Sequence, residues 1–467
     1  MSLRFRLIAA LLTFIFGGIF LFLTFKYFSK ASSVKADIFI DVNKTLGPVP
    51  DRWKALAQGG EEKGVRMLGN VLPQVAGLYP RYIRLDHIYD FYDVVQRDSQ
   101  GNLTFNFDQL DQTVCDIYNT GAKPFFSLGY MPEALSGDAT LVSVPKDWNE
   151  WALTVEKTVE HYSGTNTVLC GQIKGYWTTD IYYEVWNEPD LESFGKWSLY
   201  GGSKDYKTLY YYSVLGAGKA KNVNHYLIGG PVTTAAYKNW FQVFLNYVIE
   251  KNLRIDFLSW HHYSKNTNDF VNDMQNLNEW LSPQEYARFR DIPRIISEWG
   301  YDSQPNLIAD TNVGAAHTIA SIRNFIDQKY ELAFLFEVKD GLAPSWGILT
   351  NDGAKKPRYY ALKLLNLLSG NRLKVEGEGT YIQALASVSD ENTTLILVNY
   401  DQEEKNTESV PVRIANLNNG TYSLNIQYLD GKEIKLDNVV ISNGTFVRNI
   451  LMPANMVIGI VLSKQST

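Results

Sequence analysis

The sequence predicts an α/β protein built as a closed (β/α)8 TIM-type barrel with a C-terminal antiparallel β-sandwich and an N-terminal transmembrane helix. Three observations carry this expectation. From about Ala36 to Gly370, short apolar runs ending in polar or glycine residues alternate with amphipathic stretches. After Gly370 the texture changes to short alternating runs separated by turn signals, and the first thirty residues hold one long apolar stretch. At 467 residues the chain exceeds the usual size of a single core, so a large domain and a smaller one are expected. The divisions read as 1–30 for an anchor or signal, 31–370 for the barrel and 371–467 for the sandwich.

Taken in order, Arg4 and Arg6 precede the apolar stretch 7–25, and Lys26 and Lys30 follow it. That is within the about 17 to 25 residues a helix needs to cross a bilayer. A cleavable signal has a shorter core, about 7 to 15 residues, and a small-x-small site. Ala31-Ser32-Ser33 matches such a site only loosely. An uncleaved anchor is therefore the favoured reading and a cleaved signal the alternative. In both, the N-terminal arginines stay inside and the remaining chain is exported to the periplasm or the exterior.

The barrel strands are expected at 55–58, 82–85, 124–128, 181–185, 226–230, 257–260, 294–296 and 333–336. Parallel strands need helical crossovers and bury both faces, which suits this alternation. The competing open doubly wound sheet would carry a glycine-rich phosphate loop after its first strand, and Gly59-Gly60-Glu61-Glu62 is a poor one. Sandwich strands are expected at 381–388, 394–400, 410–414, 421–428, 432–436, 445–451 and 456–462, and the strand-like 36–41 is expected to join them.

Composition narrows the function. A net charge of −6, with acids and bases interspersed, offers no basic stripe for nucleic acid. The 29 tyrosines, 23 phenylalanines and 11 tryptophans suit both a core and stacking on sugar faces. Cys115 and Cys170 can bridge only if the fold brings them together, and two free buried thiols are the alternative. No Cys/His cluster has metal-ligand spacing, so neither a metal nor another cofactor is expected.

Two acidic motifs, Trp186-Asn187-Glu188-Pro189-Asp190 and Ser297-Glu298-Trp299-Gly300, each end an apolar run. Two carboxylates delivered to one cleft by different strand ends are the minimum machinery for cleaving a glycosidic bond. The bland alternatives are a helix-start carboxylate for Glu188 and a strand-end salt bridge for Glu298. Glu184 is a rival carboxylate that strand alternation points into the barrel below the mouth, toward an arginine such as Arg84.

Together with Pro124-Phe125-Phe126-Ser127-Leu128-Gly129-Tyr130-Met131-Pro132-Glu133, Ser259-Trp260-His261-His262-Tyr263 and Lys356-Pro357-Arg358-Tyr359-Tyr360-Ala361, these motifs resemble glycoside hydrolase family 39 from about residue 50 to 370. The family includes β-xylosidases, α-L-iduronidases and exopolysaccharide-cleaving enzymes on (β/α)8 barrels with an attached β-sandwich. The resemblance implies Glu188 as acid/base, Glu298 as nucleophile, Asn187 on the sugar 2-hydroxyl, His261 and Tyr263 after the sixth strand, and Arg84 and His87 after the second. Tyr130, Trp260 and Trp346 are candidate sugar platforms. Ser127, Phe334, Phe336 and Trp299-Gly300 depart from xylosidase-like members, which implies altered subsites.

The expected activity is therefore a retaining glycoside hydrolase, tethered to a membrane and acting on a cell-surface or exported polysaccharide. A catalytically inactive carbohydrate-binding or assembly protein, or a transglycosylase using the same site, are the alternatives. Glu188 would need a raised pKa, with the charge of Glu298 beside it contributing.

Overall fold

Short strands buried on both faces are stable only in a closed or covered sheet, and the chain closes them. The structure is a computed structural model that describes residues 33–59, 63, 65–172, 175–342 and 346–465. It opens with β1 (Ile38–Pro48) and then enters the barrel with β2 (Ala55–Gln58) and β3 (Tyr82–Leu85). A small hairpin, β4 (Val95–Arg97) and β5 (Leu103–Phe105), precedes β6 (Lys123–Leu128). The barrel is completed by β7 (Ile181–Val185), β8 (Tyr226–Thr233), β9 (Phe257–Tyr263), β10 (Arg294–Gly300) and β11 (Leu332–Phe336). These eight strands pair in parallel and in chain order, with β11 closing onto β2. All eight predicted barrel runs fall on barrel strands.

The two-residue period of a strand decides what faces inward. Ala55, Ala57, Tyr82, Phe125, Tyr182, Phe257, Ile295 and Phe334 fill the lower barrel interior. Their neighbours Leu56, Ile83, Phe126, Tyr183, Leu258 and Ile296 face outward into the layer of helices. Those helices are amphipathic for the ordinary reason. In α2 (Asp108–Asn119), which follows the short α1 (Leu72–Ala76), Leu110, Val114 and Ile117 recur at i, i+4 and i+7 and are buried. In α3 (Trp148–Ser163), Asp147 caps the start by accepting from the Asn149 backbone N–H.

The remaining strands, β12 (Asn371–Glu376), β13 (Ile382–Val388), β14 (Asn392–Asn399), β15 (Glu408–Ala415), β16 (Gly420–Tyr428), β17 (Glu433–Ile441), β18 (Phe446–Met452) and β19 (Val457–Lys464), join β1 in one nine-stranded sheet. Strands from its two ends, β15 and β18 on one side and β16 and β19 on the other, contribute to a single core through Val412, Ile450, Leu424 and Ile460. The sandwich is thus one sheet bent over its own inner face. Two details differ from expectation. β1 runs antiparallel to β12 but parallel to β15, so the sheet is not purely antiparallel. β12 carries only one fully buried apolar residue, Leu373, too weak a pattern to mark a strand in the sequence.

Among the described residues no helix is long and apolar enough to cross a membrane. The expected transmembrane helix at 7–25 lies outside the described residues.

Cys115 on α2 and Cys170 before β7 form a disulfide with their Cα atoms 5.7 Å apart, which settles the pairing the sequence left open. The bridge closes a loop spanning 55 positions. Replacing both cysteines by serine is expected to lower stability by about 4 kcal/mol on the chain-entropy account. Denaturant unfolding of the two forms measures the difference.

Candidate active site

The carboxyl ends of parallel barrel strands converge on one mouth, and the charged residues gather there. Tyr82 faces inward on β3, so Arg84 does too, and it is buried with 2% of its side chain exposed. Its Nε donates to Glu184 Oε2 at 2.9 Å, one terminal nitrogen to Glu298 Oε2 at 3.3 Å and the other to Asn187 Oδ1 at 2.7 Å. Burial works against the guanidinium charge, but Glu184 and Glu298 outweigh it and hold Arg84 firmly protonated. Both readings of Arg84 hold together, since it is an interior ion pair and also a partner of Glu298. Glu184 sits below the mouth as alternation predicted.

After β7 the chain turns sharply. Trp186 and Glu188 adopt left-handed backbone conformations, with φ of 75° and 41°, at a cost of order 1–3 kcal/mol each. The turn is anchored by the Glu188 N–H donating to the Val232 carbonyl at 3.1 Å and by the Trp186 indole donating to the Phe194 carbonyl at 2.9 Å. No helix starts at Glu188, which removes its bland alternative; the next element is a short 3-10 turn at Glu192–Phe194. Glu188 instead faces His261, whose Nδ1 is hydrogen-bonded to Glu188 Oε1 at 2.9 Å and lies 3.7 Å from Glu298 Oε2.

Glu298 emerges from β10, where Tyr263 donates its hydroxyl to Oε1 at 2.6 Å. The approach of that ring needs the glycine at 300, because a Cβ there would sit 2.8 Å from the Tyr263 ring. Burial pushes the Glu298 carboxyl up; His261 pulls it down, Glu188 pushes it up, and Arg84 and the Tyr263 hydroxyl pull it down. For His261, burial acts downward, yet the charge of Glu298 and the hydrogen bond to Glu188 leave it above its usual value. Glu188 and Glu298 keep 13% and 12% of their side chains exposed, so both open onto solvent at the mouth.

One ligand atom from each of Glu188, His261 and Glu298 lies within 4.8 Å of the others, which bounds the closest approach of the two carboxylates. Such spacing could also bridge a cation. The Arg84 guanidinium against Glu298 already meets part of the charge a cation would seek.

The other expected residues divide. Asn187 is 4% exposed and donates Nδ2 to the Tyr130 hydroxyl at 2.8 Å. Tyr130 is therefore no platform: its ring is buried against Trp186, Phe194 and His87, and its hydroxyl positions Asn187. Trp260 is also corrected. The strand period puts Trp260 and His262 on the outer face of β9, where both bond Asp273 of the helix Asn268–Trp280, while His261 and Tyr263 face in. His87 stacks on Phe91 beside Tyr130, its Nδ1 held by Asp90 Oδ2 at 2.8 Å. Trp346 stands at the rim 6.1 Å from Phe336, its indole donating to the Asp302 carbonyl. Phe334 lies in the lower interior and only Phe336 reaches the rim, 6.5 Å from Tyr263. Asp90, which also accepts from the Tyr130 N–H at 3.2 Å, was missed; its i+3 spacing from His87 was the available signal.

Comparison with known proteins bears on this geometry. A family profile described as "Glycosyl hydrolases family 39" matches residues 37–435. A β-xylosidase of Caldicellulosiruptor saccharolyticus is 25% identical over 375 residues, spanning 72% of this chain and 73% of its own. One from Geobacillus stearothermophilus is 27% identical over 339 residues, 64% of each. Among solved structures, the GH39 enzyme from Xanthomonas axonopodis pv. citri superimposes with a TM-score of 0.75 at 18% identity, covering 94% of this chain and 99% of that one. A monomeric β-xylosidase from Caulobacter crescentus gives 0.75 at 20% identity over 92% and 100%.

The Arg84–Glu184 pair yields a stability prediction. Glu184 is fully buried and its Oε1 has no partner among the described residues, so it depends on Arg84. Arg84→Met is expected to cost about 3–5 kcal/mol, and adding Glu184→Leu recovers part of it by removing the orphaned charge. A double-mutant cycle in denaturant unfolding checks the sign.

Proposed function

The chain belongs to the glycosyl hydrolases of family 39, and from that premise and its barrel mouth we propose a retaining mechanism with Glu298 as nucleophile and Glu188 as acid/base. The observation that carries this reading is the approach of the two carboxylates to within 4.8 Å. Retaining pairs stand about 5 to 5.5 Å apart between carboxyl groups, whereas inverting pairs need about 6.5 to 9.5 Å to admit a water. In the first step Glu298 attacks the anomeric carbon while Glu188 gives its proton to the departing glycosidic oxygen. In the second, Glu188 takes a proton from water as that water attacks the same carbon and Glu298 leaves. Asn187, oriented by Arg84 and Tyr130, would meet the sugar 2-hydroxyl through its amide. Arg84, Tyr263 and His261 favour the ionised form of Glu298 against the burial that opposes it.

The substrate we propose is a cell-surface or exported polysaccharide, with the enzyme tethered outside the cytoplasm through segment 7–25. The Cys115–Cys170 disulfide supports an oxidising compartment, and the arginines preceding 7–25 support that orientation. The departures at Ser127 and Phe336 support subsites unlike those of short xylo-oligosaccharide scavengers.

Glu298→Gln is expected to abolish hydrolysis, and fluorinated activated glycosides should label Glu298, read by peptide mass spectrometry. Glu188→Ala should lose about 10²–10⁴-fold in kcat/KM on natural glycans and much less on aryl glycosides whose leaving group needs no proton. Because burial raises Glu298, kcat/KM should fall as pH drops through a pKa above the ordinary 4.5. A wild type that hydrolyses no glycan, while it and Glu298→Gln bind glycan alike, would return the reading to an inactive binding protein. Mass spectrometry of products separates hydrolysis from transglycosylation. Fractionation tests the tether: the full chain is expected in the membrane and a chain lacking residues 1–30 in the soluble fraction.

A further inference from the structure

We propose that Tyr400 and Gln402, in the loop joining β14 to β15 of the C-terminal sheet, are positioning residues for the barrel nucleophile. They hold the backbone that carries Tyr263, and through the Tyr263 hydroxyl they hold Glu298. The inference rests on the glycosidase reading above and deepens it.

The Tyr400 hydroxyl donates to the Lys265 carbonyl at 2.6 Å, and the Gln402 amide donates to the same oxygen at 2.9 Å. A carbonyl has two lone pairs, and here both are used by the sheet. Lys265 lies two residues beyond Tyr263, a span of at most about 7 Å that leaves little slack between clamp and phenol. The neighbouring groups are tied as well. The Ser264 carbonyl accepts from His317 Nε2 at 2.8 Å, and the Ser264 N–H donates to the Gly300 carbonyl at 3.2 Å. Lys265 Nζ pairs with Asp302 Oδ2 at 2.9 Å, and Asp302 in turn accepts the Trp346 indole on its carbonyl. The Tyr400 ring packs 5.6 Å from His317 and lies against Tyr301, Ala309 and Val313.

The segments after β9 and β10, which deliver Tyr263 and Glu298, are thus fastened to each other and then to the sheet. Sub-ångström placement matters at such a site, where a shift of about 1 Å can cost about a hundredfold in rate. The groups facing Glu298 are Arg84 from β3, with Glu184 of β7 behind it, Glu188 beyond β7, and His261 and Tyr263 on β9. Glu337 beyond β11 acts on Tyr263 through its charge. Among these, the element whose trailing segment Tyr400 and Gln402 grip is β9. His317, pushed down to about 4 by burial, is neutral over the working range and adds no limb of its own above that pH.

The test uses the full chain and an activated aryl glycoside. Tyr400→Phe with Gln402→Ala removes both donors but keeps the packed ring. The pair is expected to lower kcat about tenfold with little change in KM. It should also move the acid limb of kcat/KM to higher pH, because the Tyr263 hydrogen bond that favours ionised Glu298 is loosened. Tyr263→Phe should shift the limb the same way, and combining all three substitutions should add no further shift. Tyr400→Phe alone serves as the milder variant if the pair unfolds, with a smaller shift in the same direction. A limb that stays in place, even with activity or thermal stability reduced, would make the clamp merely structural and overturn the proposal. So would a shift that adds fully to that of Tyr263→Phe. A wild type inert toward every glycoside takes down the glycosidase reading and this one with it; an active wild type with unmoved variants takes down this one alone.

Discussion

The site depends on one buried cation. Arg84 is held inside the barrel with almost no solvent, where an unpaired guanidinium would cost several kcal/mol or more. It is tolerable because three acceptors, Glu184, Asn187 and Glu298, meet its planar fork at separate nitrogens. The dependence runs both ways. Glu184 is a carboxyl group fully enclosed by the barrel, and burial pushes the Glu298 carboxyl up. Remove the arginine and two carboxylates and an amide lose their common reference. A lysine could not replace it, since a point charge on a flexible stem cannot meet three acceptors in one plane.

Around that cation, proton affinity is arranged by position rather than by residue type. His261 sits between the two carboxylates and lies closer to Glu188 than to Glu298, 2.9 against 3.7 Å. Tyr263 adds a short hydrogen bond to the other oxygen of Glu298. The backbone makes the arrangement possible. Left-handed residues at 186 and 188 fold one carboxylate inward, and the missing side chain at 300 lets a phenol lie across the end of β10. Part of the chain's conformational cost falls at the mouth, where the eight-stranded scaffold can hold it.

Much of this was legible in the sequence, for identifiable reasons. Short apolar runs ending in polar or glycine residues marked all eight barrel strands, and a motif at the end of β7 or β10 must open onto the mouth. Alternation also placed Glu184 below it beside Arg84. The errors came from applying chemistry before that same alternation. Trp260 is flanked by Ser259 and His261, so if His261 faces the barrel interior Trp260 must face the helices, where it bonds Asp273. Tyr130 was assigned by its aromatic type, whereas its burial and its hydroxyl decide its role. Strand β12 was invisible because its neighbours, not its own apolar content, hold it in the sheet. Tyr400 and Gln402 gave no signal, since Lys265, whose carbonyl they grip, lies 135 and 137 positions away and only the tertiary fold makes the contact.

The topology of β1 explains how a distant sheet can grip the mouth so firmly. The chain forms β1 in the sheet, crosses directly into β2 of the barrel, winds through all eight strands, and returns as β12, which pairs with β1. Entry and exit of the barrel are therefore adjacent hydrogen-bonded strands of the same sheet. A module joined by one linker could rock against its neighbour. Here two connections leave neighbouring strands, α7 (Asn312–Asp327, counting α4 at Tyr206–Lys219, α5 at Lys238–Glu250 and α6 at Asn268–Trp280) packs against β13, β14 and β19, and the Tyr400 loop adds its contact with His317 of α7. Contacts spread this widely hold barrel and sheet as one body. That is the mechanical condition under which hydrogen bonds from the sheet can set the position of a side chain in the barrel.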